Sequence, residues 1–229
     1  MTAVTDAPVV PAPAAPASQP TAGQLATQWA NDYAARLTER VRSRLAQPPA
    51  SSNGALKPAI GEISVGSNVA FDVAVTSPIQ FIGLPPYQPS KIIADTEAAF
   101  IIAFMFVNPA FPPLPPATVQ LGSRGWRMSL DQFNLTTGTV LPEIVVTGTF
   151  PPNAPELTAV VFSLATPNPG PDPWLIEANV TVDIGPGQPY AAFATNFFDV
   201  DQDPAFLGIP PTVPGWRNEL PNRYLLYSK

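Results

Sequence analysis

Lys91-Ile-Ile-Ala-Asp-Thr-Glu-Ala-Ala-Phe-Ile-Ile-Ala-Phe-Met-Phe-Val107 decides how this chain folds. Read at a period of two, one face carries Ile92, Ala94, Thr96, Ala98, Phe100, Ile102, Phe104 and Phe106. The other begins polar at Lys91, Asp95 and Glu97 and ends apolar at Ile101, Met105 and Val107. A helix over 96–107 is an alternative, with Asp95 as cap and Asn108-Pro109 as stop, but the Phe and Ile content favours a strand. A strand that is apolar on both faces must be covered on both. The second cover is either a helix of the same chain or another subunit.

Working outward, residues 62–229 read as all-β. Short segments rich in Val, Ile, Phe and Thr are separated by Pro, Gly and Asn clusters. The expected strands are Glu62–Val75, Lys91–Val107, Thr118–Leu121, Trp126–Leu130, Thr139–Leu141, Ile144–Phe150, Leu157–Ala165, Trp174–Ile184, Tyr190–Phe198 and Arg223–Tyr227. Gly-Ser-Arg-Gly at 122–125 reads as a hairpin loop between the third and fourth. This spacing predicts an antiparallel β-sandwich or jelly-roll-like domain. The prolines, 32 of 229 residues, fall largely between these segments and suit loops and exposed edges.

Before this domain come three different segments. Residues 1–23 form an extended Ala/Pro-rich tail, either solvated or lying across a neighbouring subunit. Residues 24–46 predict an amphipathic helix. Thr21 and Gln24 fit a capping box, and Leu25, Trp29, Tyr33, Leu37, Val41 and Leu45 form a drifting apolar stripe. Arg36, Arg40, Arg42 and Arg44 gather toward its C-terminal end, where the helix dipole favours cations. Pro48-Pro49 stops it, and residues 47–61 read as a linker. The basic helix contrasts with an acidic remainder, so it is expected to dock on an acidic surface of its own domain or of a partner. Trp29, Arg36, Arg40 and Arg44 are the candidate partner contacts.

Composition excludes much chemistry. The chain has no Cys and no His, which removes Cys/His zinc sites, His-ligated haem, Ser-His and Cys-His nucleophile pairs and disulfides. Its net charge of −6 opposes a nucleic-acid role, and Arg124, Trp126 and Arg127 are too few to reverse that. No secretory signal and no membrane-length apolar run is read; the longest, Ala98 to Val107, is about half of the ~20 residues a spanning helix needs. The expected setting is cytoplasm or a virion or surface assembly.

Asp199-Val-Asp201-Gln-Asp203 is the one acidic cluster. Its alternate carboxylates could converge on calcium, although Pro204 and Pro210 exclude the helix-loop-helix calcium loop. No other cofactor is implied. Glu143, Glu156, Glu177 and Asp183 are the carboxylates a glycosidase-type pair would draw on. Trp174, Trp216, Tyr87 and Tyr190 are aromatics that sugars could stack on.

Charged residues are only 12% of the chain, against a usual share of roughly 25%. A surface so poor in charge is best kept in solution when much of it is covered. The sequence therefore points to a non-catalytic assembly subunit that contacts protein partners in a homo-oligomer or larger complex. A carbohydrate-, lipid- or calcium-dependent binding module and a carboxylate-only hydrolase are the alternatives.

Overall fold

A computed structural model describes residues 20–45, 71–83, 85–109, 116–185, 190–194, 196–198 and 222–229. The fold is mainly β with one long helix. In chain order it contains α1 (Ala22–Leu45), β1 (Phe71–Thr76), β2 (Ile79–Gln80), β3 (Ile92–Ala94), β4 (Ala99–Val107) and the single helical turn α2 (Ala117–Gln120). Then follow β5 (Gly125–Asn134), β6 (Thr139–Val140), β7 (Ile144–Thr149), β8 (Leu157–Leu164), β9 (Trp174–Ile184), β10 (Tyr190–Phe193), β11 (Asn196–Phe198) and β12 (Asn222–Tyr227).

The first sheet is built on β4, with β8 along one edge and β1 followed by β2 along the other; β11 extends it beyond β1. The second sheet is built on β9 and β5. It runs β3, β12, β9, β5 and β6, with β10 also on β9 and β7 also on β5. Most pairs are antiparallel. However, β1–β11 and β12–β3 are parallel, so the sheets are mixed rather than purely antiparallel as expected. Both parallel pairs join strands that are far apart in the chain, a pairing no local pattern encodes.

Strand β4 explains the layering. All nine of its residues are buried. Ile101, Ala103, Met105 and Val107 join one core with Met128, Leu130, Ile176, Val180, Val182 and Leu226 of the second sheet. Ile102, Phe104 and Phe106 face the opposite way and join Trp29, Ala30, Tyr33 and Leu37 of α1. The second cover of the doubly apolar strand is thus the chain's own helix. Thr21 and Gln24 form the expected reciprocal cap: the Thr21 N–H donates to Gln24 Oε1 at 2.8 Å, and the Gln24 N–H donates to Thr21 Oγ1 at 3.3 Å.

Several sequence expectations need correction. Lys91–Val107 is not one strand. It breaks at Asp95–Ala98, where Thr96 takes a φ of 59°, and its two halves enter different sheets. Asp95 anchors the break: it is buried, its N–H donates to the Tyr227 carbonyl at 2.8 Å, and its Oδ1 accepts from the Lys229 N–H at 2.9 Å. Thr118–Leu121 is not a strand but lies in α2 and the residue after it, so Gly122–Gly125 does not close a hairpin. Tyr190–Phe198 divides between the two sheets, as β10 on β9 and β11 on β1. The tail to residue 19, the linker and residues 62–70 lie outside the described residues.

Between the Val75–Ala103 and Ile79–Phe100 pairs, the β1–β2 edge carries one residue more than β4, a bulge that accommodates Pro78. There the Thr76 hydroxyl accepts from the Ile102 N–H at 3.1 Å. The Asn222 side-chain amide donates to the Thr76 carbonyl at 3.0 Å, which ties the second sheet to the first.

A second polar contact lies in the core. The Gln132 side-chain amide donates to the Tyr224 hydroxyl at 2.5 Å, with Tyr224 only 1% exposed. Burial pushes the Tyr224 hydroxyl well above its ordinary pKa, while the Gln132 bond acts the other way. Above about pH 10 the unfolded chain releases this proton and the folded chain keeps it, so stability falls as pH rises. Tyr224→Phe is expected to cost about 1–2 kcal/mol at neutral pH by leaving the Gln132 amide unpaired. It is also expected to flatten the alkaline limb of the denaturant-midpoint-versus-pH curve. An unchanged alkaline limb would contradict the assignment.

Candidate interaction surface

The outer face of the second sheet has a polar end and an apolar end. Along β5 and β9 alternate residues point inward to the core, and the others point out. On β5 and β9 the outward residues at one end are polar, Arg127, Asp131, Asn179 and Asp183, with exposed Val145 of β7 opposite Ser129. At the other end they are apolar. Direct pairing places Ile92 beside Leu225 and Leu225 beside Leu175. The Leu135 N–H donates to the Leu175 carbonyl at 2.8 Å, which continues the row. Ile92, Leu225, Leu175 and Leu135 thus form one rung across β3, β12, β9 and the end of β5.

The next rung is Arg223, Glu177, Phe133 and Val140. Arg223 and Glu177 form an ion pair at 3.0 Å. Tyr227, opposite Ala94, flanks the first rung. Ile92 is 58% exposed and Val140 78%, and Phe133, Leu135, Leu175 and Tyr227 are also exposed. Scattered exposed apolar residues are ordinary, but a contiguous set on one face is the arrangement that marks contact surfaces.

The residues singled out in the sequence fall elsewhere. Trp29 is 8% exposed and packs on the chain's own first sheet. It stacks on Tyr33 at 5.1 Å, and its Nε1–H donates to the Tyr87 carbonyl at 3.2 Å. Arg36 is exposed on α1, with its guanidinium 5.7 Å from the Tyr33 ring centre. The side chains of Arg40 and Arg44 lie outside the described residues, and so do Asp199, Asp201 and Asp203. Among the described residues no three Asp or Glu side chains gather as a metal site would require. Arg42 of α1 pairs with Glu156 at 2.9 Å, so the basic helix meets an acid of its own domain.

The candidate catalytic carboxylates are dispersed. Glu143 pairs with Arg127 at 2.6 Å, Glu156 with Arg42, and Glu177 with Arg223. Glu143 is held below the usual carboxylate range by a hydrogen bond with Ser129 and by Arg127. Such a group stays ionised and is poorly suited to give up a proton as a general acid. Trp126 packs toward Phe150 and the core, away from an Arg-Trp-Arg surface. Trp174 and Tyr87 also pack against the two cores; Trp216 and the Tyr190 side chain lie outside the described residues.

No family model matches the chain, and no curated protein matches it significantly. Among the described residues no helix is long and apolar enough to cross a membrane.

The outer-face patch was missed in the sequence because its residues come from five strands. Leu175 and Leu225 read as ordinary members of their apolar segments, and Phe133 and Leu135 fall between the expected strands Trp126–Leu130 and Thr139–Leu141. Only the register between strands brings them together.

Proposed function

We propose that the chain is a non-catalytic assembly subunit, a β-sandwich of jelly-roll-like character that works by contact with other protein subunits. The observation that carries this reading is the pair of rungs on the outer face of the second sheet, where exposed Ile92, Phe133, Leu135, Val140, Leu175 and Tyr227 are contiguous. The low charge content supports it: few ionic side chains are available to keep such a face solvated. The two-faced burial of β4 adds nothing to the case, because α1 already covers it. The sharing of one core by residues of both sheets supports the sandwich part of the reading.

The test is the mass of the protein isolated natively from its source, with every co-purified chain identified. An assembly subunit is expected to run far above 24.3 kDa, with stoichiometric companions or further copies of itself. A monomer with no companion, or turnover of a glycan abolished by a single Glu→Gln change, would overturn the reading.

A further inference from the structure

We infer that the outer face of the second sheet pairs with the same face of a second copy of the chain, about a two-fold axis running between β12 and β9; this rests on the assembly reading above and names its partner. The first rung is self-complementary about that line. Ile92 and Leu225 lie on one side, and Leu175 and Leu135 on the other. A two-fold axis along the strands, in the plane between the two faces, sets Leu225 of one copy over Leu175 of the other and Ile92 over Leu135. The second rung obeys the same operation with charge. Arg223 lies on the β12 side and Glu177 on the β9 side. The axis therefore sets each Arg223 over the other copy's Glu177, and each copy meets the opposite sign. A partner bearing one sign of charge would gain from one of these groups and lose at the other.

The area agrees with a pairwise contact. The six exposed apolar side chains offer on the order of 500 Å², at the upper end of what monomers leave open. A standard interface takes about 800 Å² from each side, so the first rung with Arg223 and Glu177 supplies its centre, and Phe133, Val140 and the flanking polar residues lie toward its rim.

Charge reversal tests the axis directly. Full-length chain is followed by light scattering and sedimentation over a wide concentration range. The wild type is expected to move from 24.3 kDa toward twice that mass as concentration rises. Ile92→Glu and Leu175→Glu, both at exposed positions of the first rung, are expected to weaken association at least tenfold with unchanged circular dichroism. Arg223→Glu and Glu177→Arg should each be monomeric alone. Mixed one to one, they should form a dimer, since one chain then carries two acids and the other two arginines at the facing positions.

A wild type that stays monomeric at every concentration would overturn the proposal. A dimer that Ile92→Glu and Leu175→Glu leave intact would overturn this surface while the assembly reading stands. Dimers lost in both charge variants and not restored by mixing would overturn the axis. Loss of the assembly reading itself would show separately, as the absence of any companion in the native mass.

Discussion

Phe104→Ala is expected to lower the free energy of unfolding by about 4 kcal/mol, within the range for a buried Phe cut to Ala. Phe104 is fully buried and sits directly between Ala74 on β1 and Ala159 on β8. This small–large–small row leaves one aromatic ring standing above the sheet, and Tyr33 of α1 packs on it with ring centres 5.3 Å apart. Neither flanking alanine can fill the space a lost ring would leave. In a chain of this length the loss corresponds to a melting-temperature drop of roughly 10 °C. The effect should be directional. Native-state hydrogen exchange should show α1 opening more readily than β5 and β9, because Phe104 faces the helix and not the second sheet. Met105→Ala, on the opposite face of the same strand, should destabilise without singling out α1. A loss below about 1 kcal/mol, or equal loosening of α1 and β9 in Phe104→Ala, would contradict this packing.

Gly122→Ala is expected to cost about 3 kcal/mol, the upper part of the range for overpacking. A Cβ at this position would overlap the Pro152 carbonyl oxygen, which is backbone. The two segments have little slack to separate. The Ser123 N–H donates to the Pro151 carbonyl at 2.9 Å, the Phe150 N–H to the Arg124 carbonyl at 2.9 Å and the Ala154 N–H to the Thr118 carbonyl at 2.8 Å. Relieving the clash means stretching these bonds. Gly138→Ala provides a contrast: a Cβ there meets nothing within 4 Å, so its cost arises from the positive φ of 70° alone. Chemical denaturation of both variants checks the ranking. A Gly122→Ala variant as stable as wild type would show that residues 118–124 and 150–154 are not laced in this way.

How far these contacts were legible in the sequence depends on the range of the signal. Helix α1 was legible because its cap and stripe are local: Thr21 and Gln24 are three residues apart, and Trp29, Tyr33 and Leu37 recur at one helical turn. Strand β9 matched Trp174–Ile184 because eleven residues of alternation override any local competitor. The two-faced burial of β4 was legible from Ile101, Met105 and Val107, which are apolar where a one-sided strand would be polar. The break after β3 was not, since Asp95-Thr96-Glu97 carries no Gly or Pro and Thr96 adopts its positive φ only under tertiary hydrogen bonds. Helix α2 is a single turn, too short for a period, and its Thr118 and Val119 mimic a strand. Of the candidate site, the arginines and the acidic loop were chosen by charge clustering along the chain. The apolar outer face exists only through pairing between β3, β12, β9, β5 and β6, which linear spacing does not encode.

The most direct measurement is hydroxyl-radical footprinting of the natively isolated complex against the dilute isolated chain. Ile92, Phe133, Leu175 and Tyr227 are expected to lose much of their labelling in the complex, while Trp29, Tyr33 and Phe104, already shielded within the chain, label equally weakly in both. Equal labelling of the outer face in the two samples would contradict the claim that this face is where other subunits attach.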